Sequence, residues 1–362
     1  MAIPNRVIAE DVRIIIADEG RNLETLAGNT LLVTGSSGFL CSYFLEVVAV
    51  LNDQGLNPPC RVLALDNMIT GVPQRLAHLE GRPDFQFLCH DVTQPLQMAA
   101  KVDLIIHGAS IASPTFYRQH PLETIDANVV GTRRMLELGR EQGVKSFLFL
   151  SSSEIYGDPE PGWIPTPEDY WGNVSCTGPR ACYDESKRLG ETLCQTYFRL
   201  YGTPVKTIRP FNFFGPGQRL DDKRIIPDLM NHAVTRTPIV LYSDGLATRS
   251  FCYISDAMRA IWRVFLSDQN GEAFNVGNDM EPISISALAQ RLQEVAGPPP
   301  LEIRHQVSQD ADYTTHNPQR RCPDLTKLRS RFIWEPRISL TEGLSRTLKS
   351  YLETGGRDLK QQ

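Results

Sequence analysis

Short apolar runs that end on Gly, Asp, His or Ser constrain this 362-residue chain more than any other feature. Residues 31–33, 61–65, 85–89, 104–106 and 146–150 are such runs, and stretches of helical periodicity, among them 124–141 and 181–201, alternate with them. Near-continuous apolar strands suit a sheet covered on both faces. The rhythm predicts an α/β fold, a Rossmann-type doubly wound parallel sheet.

The turn Gly35-Ser-Ser-Gly38 follows the first strand and opens a helix through Phe39, Leu40 and Cys41. Glycines in that context let backbone N–H groups approach a pyrophosphate at the positive helix terminus. Cys41 takes the place of the third glycine of the G-x-x-G-x-x-G pattern. Asp66 ends the second strand, where a carboxylate accepts hydrogen bonds from an adenosine ribose and repels a 2′-phosphate, so NAD is expected over NADP. The gap from Gly35 exceeds the usual ~20 residues, and residues 52–60 read as a loop that absorbs the excess. Asp91, after the third strand, is placed to meet the adenine edge, with a solvated loop position as the alternative.

Tyr183 and Lys187 stand four residues apart, hence on one helix face, where the Lys187 ammonium can favour the Tyr183 phenolate. That makes Tyr183 a candidate acid/base. The run Ser151-Ser-Ser-Glu154 closes another parallel strand, beyond whose carboxyl end ligands collect. A serine there can donate to a substrate oxygen, Glu154 can serve as general acid/base, and Arg224 and Arg249 can neutralise phosphate or carboxylate groups. A Ser-rich turn and two surface arginines are the bland alternatives.

Composition narrows the partners. Apolar residues make up 41% of the chain and the net charge is −5 with no Lys/Arg run, which argues against nucleic acid or an anionic membrane. The longest apolar stretches, 14–17 and 39–51, are too short or too mixed to span a bilayer, and residues 1–29 do not read as a signal peptide. Cytoplasm is the expected location. Eight cysteines without a Cys-x-x-Cys pair and seven dispersed histidines give no metal cluster.

After Pro210-Phe-Asn-Phe-Phe-Gly215 the texture changes to helical stretches richer in Pro and Arg, while 249–256 and 273–276 still read as sheet. The expected organisation is an N-terminal arm (1–28), an NAD-binding Rossmann domain (29–214, with returning segments near 249–278), a smaller interleaved α/β substrate-binding domain (215–248 and 279–355) and a tail (356–362). The arm reads as a helix for packing or for oligomer contact.

From residue 31 to 352 the chain resembles the extended short-chain dehydrogenase/reductase family, and within it the UDP-glucuronate decarboxylases. The most specific stretches are Glu168-Asp-Tyr-Trp-Gly172 and Gly178-Pro-Arg-Ala-Cys-Tyr-Asp-Glu-Ser-Lys-Arg188. Asp66-Asn-Met-Ile-Thr-Gly71, His90-Asp91-Val92, Ala112-Ser-Pro114, Ser153-Glu-Ile-Tyr-Gly157, Asn212-Phe-Phe-Gly-Pro216 and Thr248-Arg-Ser-Phe-Cys-Tyr-Ile-Ser-Asp256 support them. The resemblance implies Tyr183 as catalytic base, Lys187 lowering its pKa and holding the nicotinamide ribose, Ser152 in the family's Ser/Thr position, and Glu154 and Arg249 as further catalytic residues. It implies NAD contacts from Gly35, Ser37, Gly38, Phe39, Leu40, Asp66, Asn67, Thr70, Gly71, Asp91, Val92 and Ala109. Tyr117, Ser153, Glu154, Asn212, Arg224 and Arg249 would meet the nucleotide sugar, most plausibly a UDP-sugar.

The same resemblance implies a reaction without net redox: NAD+ oxidises the 4-position of UDP-glucuronate, carbon dioxide leaves the resulting β-keto acid, the 5-position is reprotonated from Glu154 or water, and the hydride returns. It also implies a homodimer built through 124–141 and 181–201. Cys41, Gly108, Ile111, Gly217, Leu200 and Tyr201 depart from the family pattern. Dehydration or epimerisation of another nucleotide sugar, and a non-catalytic NAD-binding regulator, stay open as alternatives.

Overall fold

A computed structural model describes residues 3–98, 100–308, 315 and 317–354. The expected tail, 356–362, lies outside them. Six parallel strands, β1 (Thr30–Thr34), β2 (Arg61–Asp66), β3 (Phe85–Cys89), β4 (Leu104–His107), β5 (Ser146–Leu150) and β6 (Val205–Pro210), are joined by a seventh, Glu272–Val276. The sheet order is Glu272–Val276, β6, β5, β4, β1, β2, β3. Because β1 pairs on one side with β2 and on the other with β4, the chain reverses direction across the sheet there, and a crevice opens beyond their carboxyl ends. The inner strands β4 and β5 are buried throughout and β1 from its second residue on, as their unbroken apolar runs require.

The N-terminal arm is a helix, α1 (Arg6–Leu23), packed onto the body of the molecule. Asn5 caps it by accepting from the N–H groups of Val7 and Ile8 at 3.0 and 3.1 Å. Val7, Val12, Ile15 and Leu23 are buried, much of that face lying against the helix Ile254–Phe265. Three of its acidic side chains reach arginines on other elements: Asp18 to Arg259 at 2.5 Å, Glu19 to Arg263 at 2.6 Å and Asp11 to Arg346 at 2.6 Å.

Two local readings change. The periodic stretch 124–141 is divided into Pro121–Asp126, a π-helical turn Ala127–Gly131 and Thr132–Gln142. A Cβ at Gly131 would lie 2.6 Å from Val92, so the wide turn sits close against the loop after β3. The stretch 249–256 supplies only the ends of two small sheets before the helix begins at Ile254. One of those sheets sets Thr248–Arg249 between Ile283–Ser284 and Arg320–Arg321, with Arg249 and Arg321 in register.

Candidate active site

The glycine turn is shaped by contact. Gly35 has φ +68°, and a Cβ there would lie 2.9 Å from the Ala109 backbone, so only glycine lets the turn after β1 close against the loop after β4. Gly38 starts the helix α2 (Phe39–Asp53), whose N-terminus faces the crevice. Asp66 accepts from the N–H groups of Ser37 at 3.0 Å and Met68 at 2.9 Å, fixing both loops while its carboxylate still borders the cleft. This combination of bare backbone at a helix start and a carboxylate ending β2 fits a dinucleotide.

Gly38, Phe39, Leu40, Asn67, Thr70, Gly71, Asp91, Val92 and Ala109 line the same cleft as Gly35 and Asp66. Ser37 is the exception. Its side chain is buried behind the turn, and its carbonyl accepts from Val72 N–H and from the Arg75 guanidinium.

Two departures from the family pattern explain each other. A Cβ at Gly108 would lie 2.4 Å from the Cys41 sulfur, which points to the Thr34 carbonyl at 3.5 Å. The thiol thus occupies the space that a side chain at 108 would need. Burial, and then the charge of Asp66, push the Cys41 thiol up to about 12, so it stays protonated. Ile111 packs with Tyr117 and Tyr183 in one small apolar cluster.

Tyr183 and Lys187 lie on the helix Ala181–Tyr201, held tightly to β5 because Gly190 leaves room for Phe149: a Cβ there would meet that ring at 2.5 Å. Lys187 Nζ donates to the Leu150 carbonyl at 2.8 Å and lies 5.1 Å over the Phe149 ring and 5.8 Å over the Tyr183 ring. Burial pushes the ammonium down to about 7. It also pushes the Tyr183 phenol up to about 12, with the Ser152 hydroxyl pulling the other way. Tyr183 and Lys187 share a helix face, but burial outweighs the Ser152 hydrogen bond that favours the phenolate, and both groups lean toward their neutral forms. Tyr117 stacks on Tyr183 with ring centroids 5.1 Å apart and planes 8° from parallel.

Glu154 is the hub of the opposite wall. Arg321 donates to both its oxygens, at 2.5 and 2.8 Å, and Arg180 donates at 2.5 Å. Burial opposes ionisation, but the charges of Arg180 and Arg321 outweigh it and hold the carboxyl well below the usual carboxylate range. With its carboxyl held ionised, Glu154 accepts from the two arginines. Arg249, buried beside this cluster, donates to Asn317 Oδ1 at 3.0 Å, and burial, then repulsion from Arg321, push it down to about 9. Burial, then Glu154, raise the Asp184 carboxyl toward its neutral form.

Ser152, Ser153, Asn212 and Arg224 complete the cleft. Asn212 holds φ +46° and donates to the Ser250 carbonyl at 3.2 Å, and Arg224 forks onto Asp222 at 2.8 and 2.7 Å. Arg180 and Arg321 were not singled out from the sequence. Arg180 sits inside a quoted motif, whereas Arg321 gains its place only through strand pairing with Arg249.

Residues 31–277 match the NAD dependent epimerase/dehydratase family. The chain is 38% identical over 322 residues to UDP-glucuronic acid decarboxylase 1 of Arabidopsis thaliana, covering 89% of this chain and 69% of that protein. It is 36% identical over 318 residues to UDP-glucuronic acid decarboxylase 1 of Xenopus tropicalis, covering 88% and 71% respectively. Its fold matches a dTDP-glucose 4,6-dehydratase from Streptomyces venezuelae with a TM-score of 0.79 and 24% identity, over 91% of this chain and 100% of that one. Among the described residues no helix is long and apolar enough to cross a membrane.

Proposed function

The chain belongs to the NAD dependent epimerase/dehydratase family, and within it we propose that it decarboxylates UDP-glucuronate to UDP-xylose through a 4-keto intermediate. The observation that carries this reading is the charge of the sugar end of the cleft. Two guanidinium groups, Arg180 and Arg321, pair with one ionised carboxylate, Glu154, while a third, Arg249, lies buried near them without a carboxylate of its own among the described residues, and a cationic excess of that kind suits a substrate that is itself a carboxylate. The similarity to the plant and frog decarboxylases supports the same substrate.

Tyr183, next to Ser152, takes the proton of the 4-hydroxyl. NAD, when bound, accepts and later returns the hydride, and brings a positive ring that favours the Tyr183 phenolate. The 4-ketone lies β to the carboxylate, so the bond to carbon dioxide breaks and its electron pair passes into an enolate. Arg249, which among the described residues donates to no carboxylate, holds the substrate carboxylate, and the Tyr183 phenol and Ser152 hydroxyl donate to the 4-oxygen on which the negative charge develops. Because Glu154 is kept ionised, the proton added at the 5-position comes from water. Tyr183 then returns its proton to the 4-oxygen, closing the cycle.

A homodimer belongs to the same reading. Leu122, Ile125 and Val130 on the segment before the Thr132–Gln142 helix, and Leu189 on the catalytic helix, are exposed apolar side chains on neighbouring elements. The eight free cysteines suit a reducing compartment and support a cytoplasmic location.

Incubation of the purified protein with UDP-glucuronate and NAD+, read by mass spectrometry, tests the function. Loss of the mass of carbon dioxide with NAD+ unchanged overall is expected, and accumulating NADH would mark release of the keto sugar. An unchanged UDP-glucuronate mass, together with water loss or an isobaric product from a neutral nucleotide hexose, would replace this reading by a dehydratase or an epimerase, the reactions that the shared fold also serves.

A further inference from the structure

Arg75, on the short 3-10 helix Pro73–Leu79 beyond β2, has no place in the reaction described so far. Its side chain is half-buried, its Nε is shut off from solvent without a hydrogen-bond partner, and among the described residues it pairs with no carboxylate. One terminal nitrogen donates to the carbonyl of Ser37, inside the glycine turn. The other donates to the carbonyl of Gly217, in the segment that leads into the substrate-binding region.

That segment is gripped one residue at a time. The Tyr43 hydroxyl, on α2, donates to the Pro216 carbonyl at 3.2 Å, Arg75 to Gly217, and the Tyr351 hydroxyl, on the helix Leu340–Glu353, to the Gln218 carbonyl at 2.8 Å. Immediately beyond, Arg219 donates to the Thr70 carbonyl at 3.2 Å, and Arg224 begins the helix Ile225–Thr235 at the cleft. Gly217 itself has φ +92°, and a Cβ there would face Arg75 Nε and Phe39 at 3.7 Å.

We infer that Arg75 is a positioning residue of the reaction, tying the dinucleotide turn to the segment that leads to Arg224. The inference rests on the cleft taking a dinucleotide and a nucleotide sugar side by side, and not on which sugar reacts. A guanidinium can bridge two carbonyls, whereas an ammonium keeps the charge and loses the fork.

Calorimetric titration of the full-length protein with NAD+ and, separately, with UDP tests this in two variants. Arg75→Met removes both bonds and is expected to weaken NAD+ and UDP binding by ~10-fold each, the scale of one hydrogen bond from a charged donor, and to shrink the rise in Tm on adding NAD+. Arg75→Lys is expected to keep NAD+ affinity within about threefold of wild type while weakening UDP binding by ~10-fold. A merely structural role lowers Tm and leaves both affinities at wild-type values, and that result overturns the inference. If Arg75→Met does not fold, Arg75→Lys decides: unchanged UDP affinity is fatal to it. Neither titration involves turnover, so a failure here is separate from a failure of the decarboxylase reading.

Discussion

At the scale of single residues, Cys41 and Gly108 form a steric pair. Gly108→Ala places a methyl 2.4 Å from the thiol, and overpacking of this kind costs ~1–3 kcal/mol. Adding Cys41→Gly should restore most of that loss, so the expected result in denaturant unfolding is a coupling energy above ~0.5 kcal/mol. Additive effects would mean that the two departures are unrelated. The sequence could flag both positions but not join them, because their contact depends on the alignment of β1 and β4, which ends with Thr34 opposite His107. Tyr183 and Lys187 were legible for the opposite reason: a spacing of four on a helix fixes proximity without tertiary information. Their pKa values were not, since burial is a property of the surroundings. The glutamate was found and its arginine clamp was not, because Arg321 is brought to it across 167 positions.

Among the elements, α1 gains most from the structure. Asp11 is buried, accepts from Tyr253 at 2.8 Å and from Arg346 at 2.6 Å, and burial still raises its carboxyl to about 6. In the unfolded chain it titrates near its ordinary value of 3.8. A carboxyl with a raised folded pKa contributes stability that is full below the unfolded value and lost as pH rises through the folded one. Between pH 4 and 6, then, wild-type stability should fall with rising pH relative to Asp11→Asn, by at most about 3 kcal/mol. Thermal denaturation of both proteins across that window is the check, and parallel curves would contradict it. Only the helical periodicity of the arm was readable from sequence. Its partners were hidden because Arg259, Arg263 and Arg346 all lie more than 200 positions away in the chain.

For the whole molecule, the doubly wound sheet was legible because its strands are buried on both faces and so carry unbroken apolar runs. The small sheets of the second region were less so, being two or three residues long and defined only by their partners. The proposed dimer has a direct test: Leu122→Glu combined with Leu189→Glu should convert a dimer to a monomer in light scattering after size exclusion, with helix content retained. A dimer that survives both charges would place the interface elsewhere. The register of Arg249 with Arg321 also has a consequence for the order of assembly. The glycine turn, Asp66, Tyr183 and Lys187 all lie in the first 187 residues, so a growing chain makes the side chains of its cofactor cleft early. Arg321, one of the two cations that clamp Glu154, is translated well after them. During synthesis the charges that suit the sugar end to a carboxylate are therefore completed only after the side chains of the cofactor cleft have been made.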